Sequence, residues 1–427
     1  MSEKINALMG FLDDSRSVYH AVEALKKQLD LQGYVCLRED RPWTLEPGGK
    51  YYLIRGGTAL MAFRIPQGTP TGFMLSAAHS DRPTFKLKDA DVVSGAYTRL
   101  GTEKYGGMLM STWLDRPLSV AGRVLVETQD GVRSVLVDID RDLLLIPNVA
   151  IHMNRNANEG QNWNPAVDTL PLVGSKEASG KFWELVEETA GGKVLGHDLY
   201  LYVRQGACLW GMEQQYLSAA ALDDLMCAWG CTQGFLQAGE SSAIPVLCVF
   251  DSEEVGSASV QGAGSTLLED LLTRIAQAQN LDLRQLLSNS FMVSADNAHA
   301  LHPNHPELSD SANAPQMNGG VVIKFNANQR YTTDGLSAAL LRKLWQDAQI
   351  PVQSYCNRAD LPGGSTLGCI SLAHVSVLSA DIGLAQLAMH SAWETAGARD
   401  VELLEKAMTA FYSGALIQSG DGTYKIC

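Results

Sequence analysis

The sequence predicts an α/β protein: a three-layer α/β/α domain on a mixed, mostly parallel sheet, interrupted by a β-rich insert. Three observations lead there. First, short apolar, β-branched runs stop abruptly at polar residues, as buried strands of a parallel sheet do. Val246-Leu-Cys-Val-Phe250, followed by Asp251, Glu253 and Glu254, is the strongest of them. Second, segments of helical period alternate with such runs towards both ends of the chain. Third, from about residue 90 to about 208 the pattern becomes alternating strands and turns, with little resembling a βαβ unit. The expected division is a discontinuous α/β domain, residues 1–89 and 209–427, around an insert at 90–208.

The elements follow in order. Residues 4–29 carry apolar side chains with helical period (Leu8, Phe11, Leu12, Val18, Val22, Leu25, Leu29), which predicts one or two amphipathic helices. Strands are expected at 51–55 and 60–64, and a third apolar run at 71–81 ends in His79-Ser-Asp81. Within the insert, Gln129-Asp130-Gly131 between two alternating runs predicts a hairpin, and 177–188 has helical character. Beyond it, a helix is expected at 217–238 with Asp223-Asp224 near its start. A strand at 244–250, a helix at 265–279 and a strand at 290–295 follow. Then come a strand at 321–326, a helix at 334–348, a strand at 375–379 and a closing helix at 401–418.

Composition narrows the classes. The chain has 427 residues, 46% of them apolar and 19% charged, as expected of a soluble globular protein large enough for two domains. A net charge of −14 argues against nucleic acid or an anionic membrane surface as the main partner. Residues 1–14 have no basic stretch leading into an apolar one, so no signal peptide is expected. No apolar run is long enough to span a bilayer. The eight cysteines form no CxxC pair, and Cys227 and Cys231, one helical turn apart, read as reduced packing residues. The expected compartment is the cytoplasm.

Residue types suited to metal recur where apolar runs end: His79, Glu253 with Glu254, Asp296, and His390, with Asp223 near a helix start. Each alone has an ordinary explanation. A single histidine at a strand end is more often hydrogen-bonded than ligating, aspartates favour helix starts, and Asp-Asn often makes a turn. Together they carry more weight, because an open α/β sheet gathers such positions at the carboxyl ends of its strands. Adjacent carboxylates there repel and need a compensating charge. Two histidines and three carboxylates without sulfur suit zinc, cobalt or manganese in a two-metal site, with ions about 4 Å apart. Glu253 and Glu254 then fit one base and one ligand. Asp81 is placed to hold the His79 imidazole from its other nitrogen, or else to pair with Arg82.

Several motifs resemble the aspartyl aminopeptidases, essentially end to end from Phe11-Leu-Asp-Asp-Ser and including the β insert. They are Ser76-Ala-Ala-His79-Ser-Asp81-Arg-Pro, Leu222-Asp223-Asp-Leu, Asp251-Ser-Glu253-Glu254-Val-Gly-Ser, Ser294-Ala-Asp296-Asn-Ala-His299-Ala-Leu-His-Pro-Asn and Leu387-Ala-Met-His390-Ser. The resemblance implies a metallopeptidase domain with two zinc ions per subunit, cobalt or manganese being possible substitutes. His79 and Asp296 would hold one ion, Glu254 and His390 the other, with Asp223 bridging and Glu253 as general base. Lys324, Tyr331 and His299 match residues that contact substrate. His152 matches an insert histidine that reaches substrate at a neighbouring subunit. The implied substrate is a peptide with an unblocked amino-terminal Asp or Glu, its carboxylate paired with Lys324. The implied assembly is a homo-oligomer, dimers forming a tetrahedral dodecamer through the β-rich dimerisation insert, without nucleic acid or membrane.

Asp224 departs from the pattern, since some relatives have asparagine there; it either strengthens metal binding or faces solvent. Two competing readings are a two-metal deacylase of N-acyl amino acids and a non-catalytic, metal-bearing shell protein. The spare Glu253 argues against the second. Gly363-Gly-Ser365-Thr lacks the G-x-S-x-G elbow, which sets a serine hydrolase aside.

Overall fold

A computed structural model of the chain describes residues 3–426. Its main sheet has nine strands. At the centre, Ile244–Phe250, Phe73–His79, Phe291–Ala295 and Leu378–Gly383 lie side by side, all parallel. The first three of these strands are buried along their whole length, which explains why they are largely apolar. The two flanks add antiparallel partners: Ala59–Arg64 on Ile244–Phe250, and Val321–Phe325 on Leu378–Gly383. The mixed sheet follows from that.

Helices cover both faces. Glu3–Asp14, Val18–Leu31, Leu222–Gln237, Gly335–Asp347 and Asp400–Ser413 bury their apolar sides against one face. Leu267–Ala278, Leu283–Ser288 and Leu367–Ser371 do so against the other. The result is the expected three-layer arrangement. Each fully buried Leu, Ile, Val or Phe in these layers contributes roughly 1.5–3 kcal/mol relative to exposure. Among the described residues, no helix is long and apolar enough to cross a membrane.

A six-stranded antiparallel sheet forms a second body, beginning at Thr84 and ending with Val194–Val203. It has its own core, including Phe85, Val120, Val124, Val137 and Leu199, against which helix Lys181–Ala190 packs Phe182 and Val186. The hairpin turn falls where the sequence predicts it: Thr128 pairs with Gly131, leaving Gln129 and Asp130 as the loop.

Three segments differ from expectation. Tyr216–Ala219 is a strand, and the helix begins only at Leu222, because 216–219 pairs with Glu394–Gly397 instead of continuing a helix. The strand expected at 375–379 runs at Leu378–Gly383, across Asp381, whose buried carboxylate is satisfied by the Thr332 amide and hydroxyl and by the Thr366 hydroxyl. The closing helix stops at Ser413, before Gly414, and residues 416–426 form a hairpin. A third sheet, unforeseen, joins Cys208–Trp210, Tyr216–Ala219, Glu394–Gly397, Ala385–Leu387 and Ala298–His299. Two of its strands continue from main-sheet strands, Ala298–His299 after Phe291–Ala295 and Ala385–Leu387 after Leu378–Gly383.

Candidate metal centre

Parallel register brings the chemistry together. His79 is the last residue of its strand and pairs with Phe250, the last of the neighbouring strand. The chain then turns through Ser252, in the left-handed region at φ 65°, into a single 3₁₀ turn carrying Glu253 and Glu254. Asp296 directly follows Phe291–Ala295. Asp223 stands at the start of its helix, where the backbone is not yet helical. His390 sits in the left-handed region at φ 67°, a conformation costing a non-glycine residue roughly 1–2 kcal/mol.

Asp223 lies between two imidazoles. Its Oδ1 is 3.7 Å from His79 Nε2 and its Oδ2 is 3.4 Å from His390 Nε2. His390 Nε2 is also 3.4 Å from Glu254 Oε2. Two ligands on one tetrahedral zinc, with bonds of about 2.0–2.1 Å, stand about 3.3–3.4 Å apart, so these separations suit shared coordination. Two compact groups of ligand atoms result, His79–Asp223–Asp224 and Asp223–Glu254–His390, meeting at Asp223. Asp223 Oδ1, Asp224 Oδ1 and Glu254 Oε1 are buried without a hydrogen-bond partner. Native interiors rarely leave carboxylate oxygens in that condition. The donor set is nitrogen and oxygen only. Nearby Cys227 is buried, donates its thiol to Asn297 Oδ1 at 3.1 Å, and has its pKa pushed well up by burial. The residues fit a zinc site.

Electrostatics agree. Burial raises Glu253 to about 7, with Asp296, Asp81 and Asp223 adding to the rise against the pull of His79. Burial and then Asp223 push Glu254 well above the usual range, and burial does the same to Asp224. Asp223 moves the other way: burial would raise it, but His390 and His79 hold it below its ordinary value.

The remaining expected residues are placed as follows. Asp81 pairs with His79 rather than Arg82, its Oδ1 3.4 Å from His79 Nδ1. Its Oδ1 also accepts the Glu253 N–H at 3.1 Å, and its Oδ2 accepts the Glu254 N–H at 3.2 Å. One carboxylate thus orients an imidazole and pins the turn bearing two glutamates. Asp296 belongs to neither compact group among the described residues; its Oδ1 is 3.3 Å from Lys324 Nζ. Asp224 does not face solvent: it is fully buried, and its Oδ2 accepts the His79 N–H at 3.2 Å.

Lys324 is buried, 1% exposed, and donates to Asp296 O, Asp296 Oδ1 and Asn297 O at 2.7–3.3 Å. Its ammonium lies 5.0 Å from the Tyr331 ring centroid. His299 and Tyr331 both approach Tyr355, which the sequence did not point to. His152 is exposed on the insert, makes no hydrogen bond or ion pair among the described residues and belongs to neither ligand group.

Sequence reasoning also missed Glu394, Tyr105 and Asn297. Glu394 accepts the N–H groups of both Asp223 and His390. The Tyr105 hydroxyl, from the six-stranded sheet, donates to Asp81 Oδ2 at 2.7 Å. Asn297 Nδ2 donates to Leu222 O at 2.9 Å, tying the Asp296 loop to the Asp223 helix. Glu394 had a signal, its place four residues after His390; Tyr105 had none.

A family model, aminopeptidase I zinc metalloprotease (M18), matches residues 11–412. The chain belongs to the M18 aminopeptidase family. As a member it is a zinc-dependent metalloaminopeptidase. It is 38% identical to a probable M18 family aminopeptidase 2 of Clostridium novyi, over 96% of this chain and 98% of that protein. A protein of the same description from Clostridium acetobutylicum is 39% identical, over 95% and 98%. Among solved structures, the cryo-EM structure of the Ape4 and Nbr1 complex superposes with a TM-score of 0.92 at 34% identity, covering 96% of this chain and 85% of that one. The mApe1 dodecamer of S. cerevesiae gives 0.85 at 27%, with 96% of each chain covered.

Proposed function

We propose that this M18 aminopeptidase removes unblocked amino-terminal aspartate or glutamate from peptides, using two zinc ions and Glu253 as general base. The observation that carries the reading is Asp223 flanked by His79 and His390, beside a Glu253 that belongs to neither ligand group. In this reading His79 and Asp296 would hold one ion, Glu254 and His390 would hold the other, and Asp223 would serve both. When bound, the zinc pair supplies Lewis acidity, polarising the scissile carbonyl and acidifying water. Glu253 takes the proton of the attacking water and passes it to the departing amine. Asp81 keeps the His79 ring and the Glu253 turn in place while this happens.

Selectivity rests on Lys324, which is the one fully buried lysine among the described residues and is backed by Tyr331 and His299. The acidic side chain of the substrate takes the position at Lys324 Nζ that Asp296 Oδ1 holds. The β-rich insert, about residues 90–208, serves assembly into dimers and a tetrahedral dodecamer. Exposed Val149, Ile151, Met153 and Val167 around His152 support that role, as does the dodecameric state of the similar mApe1. His152 then reaches a neighbour's substrate and donates to the developing oxyanion.

The test is a panel of peptides differing only in the amino-terminal residue, assayed on the wild type and on Lys324→Met. The wild type should prefer Asp and Glu, and the variant's acidic-to-neutral ratio of kcat/KM should fall about 30-fold or more. Taking the ratio cancels any general damage to the site. A wild type that prefers neutral residues would sink the selectivity.

A further inference from the structure

We propose that Glu394 is a positioning residue: its single carboxylate sets the distance between two metal ligands, Asp223 and His390, by holding both of their backbones. This inference rests on the two-zinc reading above and adds to it a residue that neither binds metal nor touches substrate.

The geometry is direct. Glu394 Oε2 accepts the Asp223 N–H at 3.0 Å, across 171 residues of chain, and Oε1 accepts the His390 N–H at 2.7 Å. Glu394 is 1% exposed, so water does not compete for either oxygen.

Strand pairing explains why one side chain can serve both. Ala219 pairs with Glu394 in an antiparallel ladder. Going forward from Ala219 and backward from Glu394 therefore leads the same way, towards the carboxyl end of the main sheet. Four residues on, each path arrives at a ligand: Asp223 on one, His390 on the other. Glu394 is the last rung of this ladder, and its side chain reaches along it to both N–H groups.

His390 needs such a hold. It and Ala388 both have left-handed backbones, at φ 67° and 56°, and neither is glycine. The Leu109 N–H, from the β-rich body, grips the His390 carbonyl at 3.0 Å while Glu394 grips its N–H. The two peptide groups that flank the His390 Cα are thereby both held, and the imidazole is aimed from both sides.

The experiment uses Glu394→Gln, which keeps one acceptor oxygen but turns an NH₂ towards the other N–H. Zinc is titrated into metal-free protein against a chromogenic chelator, and kcat and KM are measured separately on the reloaded enzyme. The variant should bind zinc about tenfold or more weakly at one of two sites. Its kcat should fall about tenfold with KM changed less than twofold. A lower melting temperature with zinc affinity and kcat intact would mean an ordinary structural role and overturn the proposal. If Glu394→Gln does not fold, Glu394→Asp gives the same readouts, since it keeps the carboxyl group but is one methylene too short to reach both amides. The wild type separates the two ideas. Failure of the wild type to bind two zinc ions ends the two-zinc reading and this one with it, whereas equal binding by wild type and variant ends this one alone.

Discussion

Two carboxylate sites in this molecule, one half-buried and one largely buried, are built on opposite plans. At the junction between the two bodies, Asp198 receives Lys86 Nζ at 2.8 Å, Arg123 Nη2 at 2.7 Å and the Tyr19 hydroxyl at 3.1 Å. Burial would raise its pKa, but the two cations prevail and hold it at about 2. The chain itself supplies that counter-charge. At the sheet edge, the cations that Asp223, Asp224, Glu253, Glu254 and Asp296 meet are His79, His390 and Lys324, and three buried oxygens have no hydrogen-bond partner among the described residues. A cluster with its own cations is architecture; one without them is completed from outside.

The contrast can be tested where its effect is greatest. Stripping zinc should abolish turnover and lower the melting temperature, because an ion that binds only the folded state stabilises it. Restored zinc should return both, and the Asp198 junction should be indifferent to the chelator. Equal melting temperatures with and without zinc would show that the edge cluster does not depend on metal. Glu253→Gln belongs to the same series: zinc content should persist while kcat drops about 10²–10⁴-fold.

A smaller effect sharpens which carboxylates complete the edge cluster. Asp224 stands in the compact group with His79, whereas Asp296 faces Lys324. Asp296→Asn should lose one of two zinc ions, and Asp224→Asn should keep both while the His79 backbone loses part of its hold. Metal analysis of the purified variants decides it, and the reverse outcome would exchange their roles.

The smallest change expected is at the junction. Asp198 has a folded pKa below its unfolded value near 3.8, so its contribution is complete above about pH 4 and disappears as the pH falls towards 2. Asp198→Asn should cost about 1–2 kcal/mol near neutral pH and flatten that acid limb. Urea melts at pH 7 and pH 3 would measure it; a pH-independent difference would place the loss in packing instead.

Much of the site could be read from residue order, because buried parallel strands announce themselves as apolar runs and their ends announce themselves where polarity returns. His79, Glu253, Glu254 and Asp296 were visible for that reason. The helix boundary at 217–222 was not. Leu217-Ser-Ala-Ala-Ala-Leu222 favours helix locally, and only its partner strand Glu394–Gly397 draws the first part into a sheet. Asp381 hid a strand in a similar way, since a buried carboxylate looks like a loop residue until Thr332 and Thr366 stand beside it.

The amino-acid order alone therefore determined the layered architecture, the hairpin at Gln129-Asp130 and the chemical types collected at the sheet edge, since periodicity and polarity are local properties of a chain. Tertiary structure alone decided which of those groups touch: that Asp223 stands between two imidazoles, that Lys324 is engaged by Asp296, and that Glu394 holds two ligands at once. Contacts between separate segments of the chain depend on strand register, and register is settled only when every layer has packed.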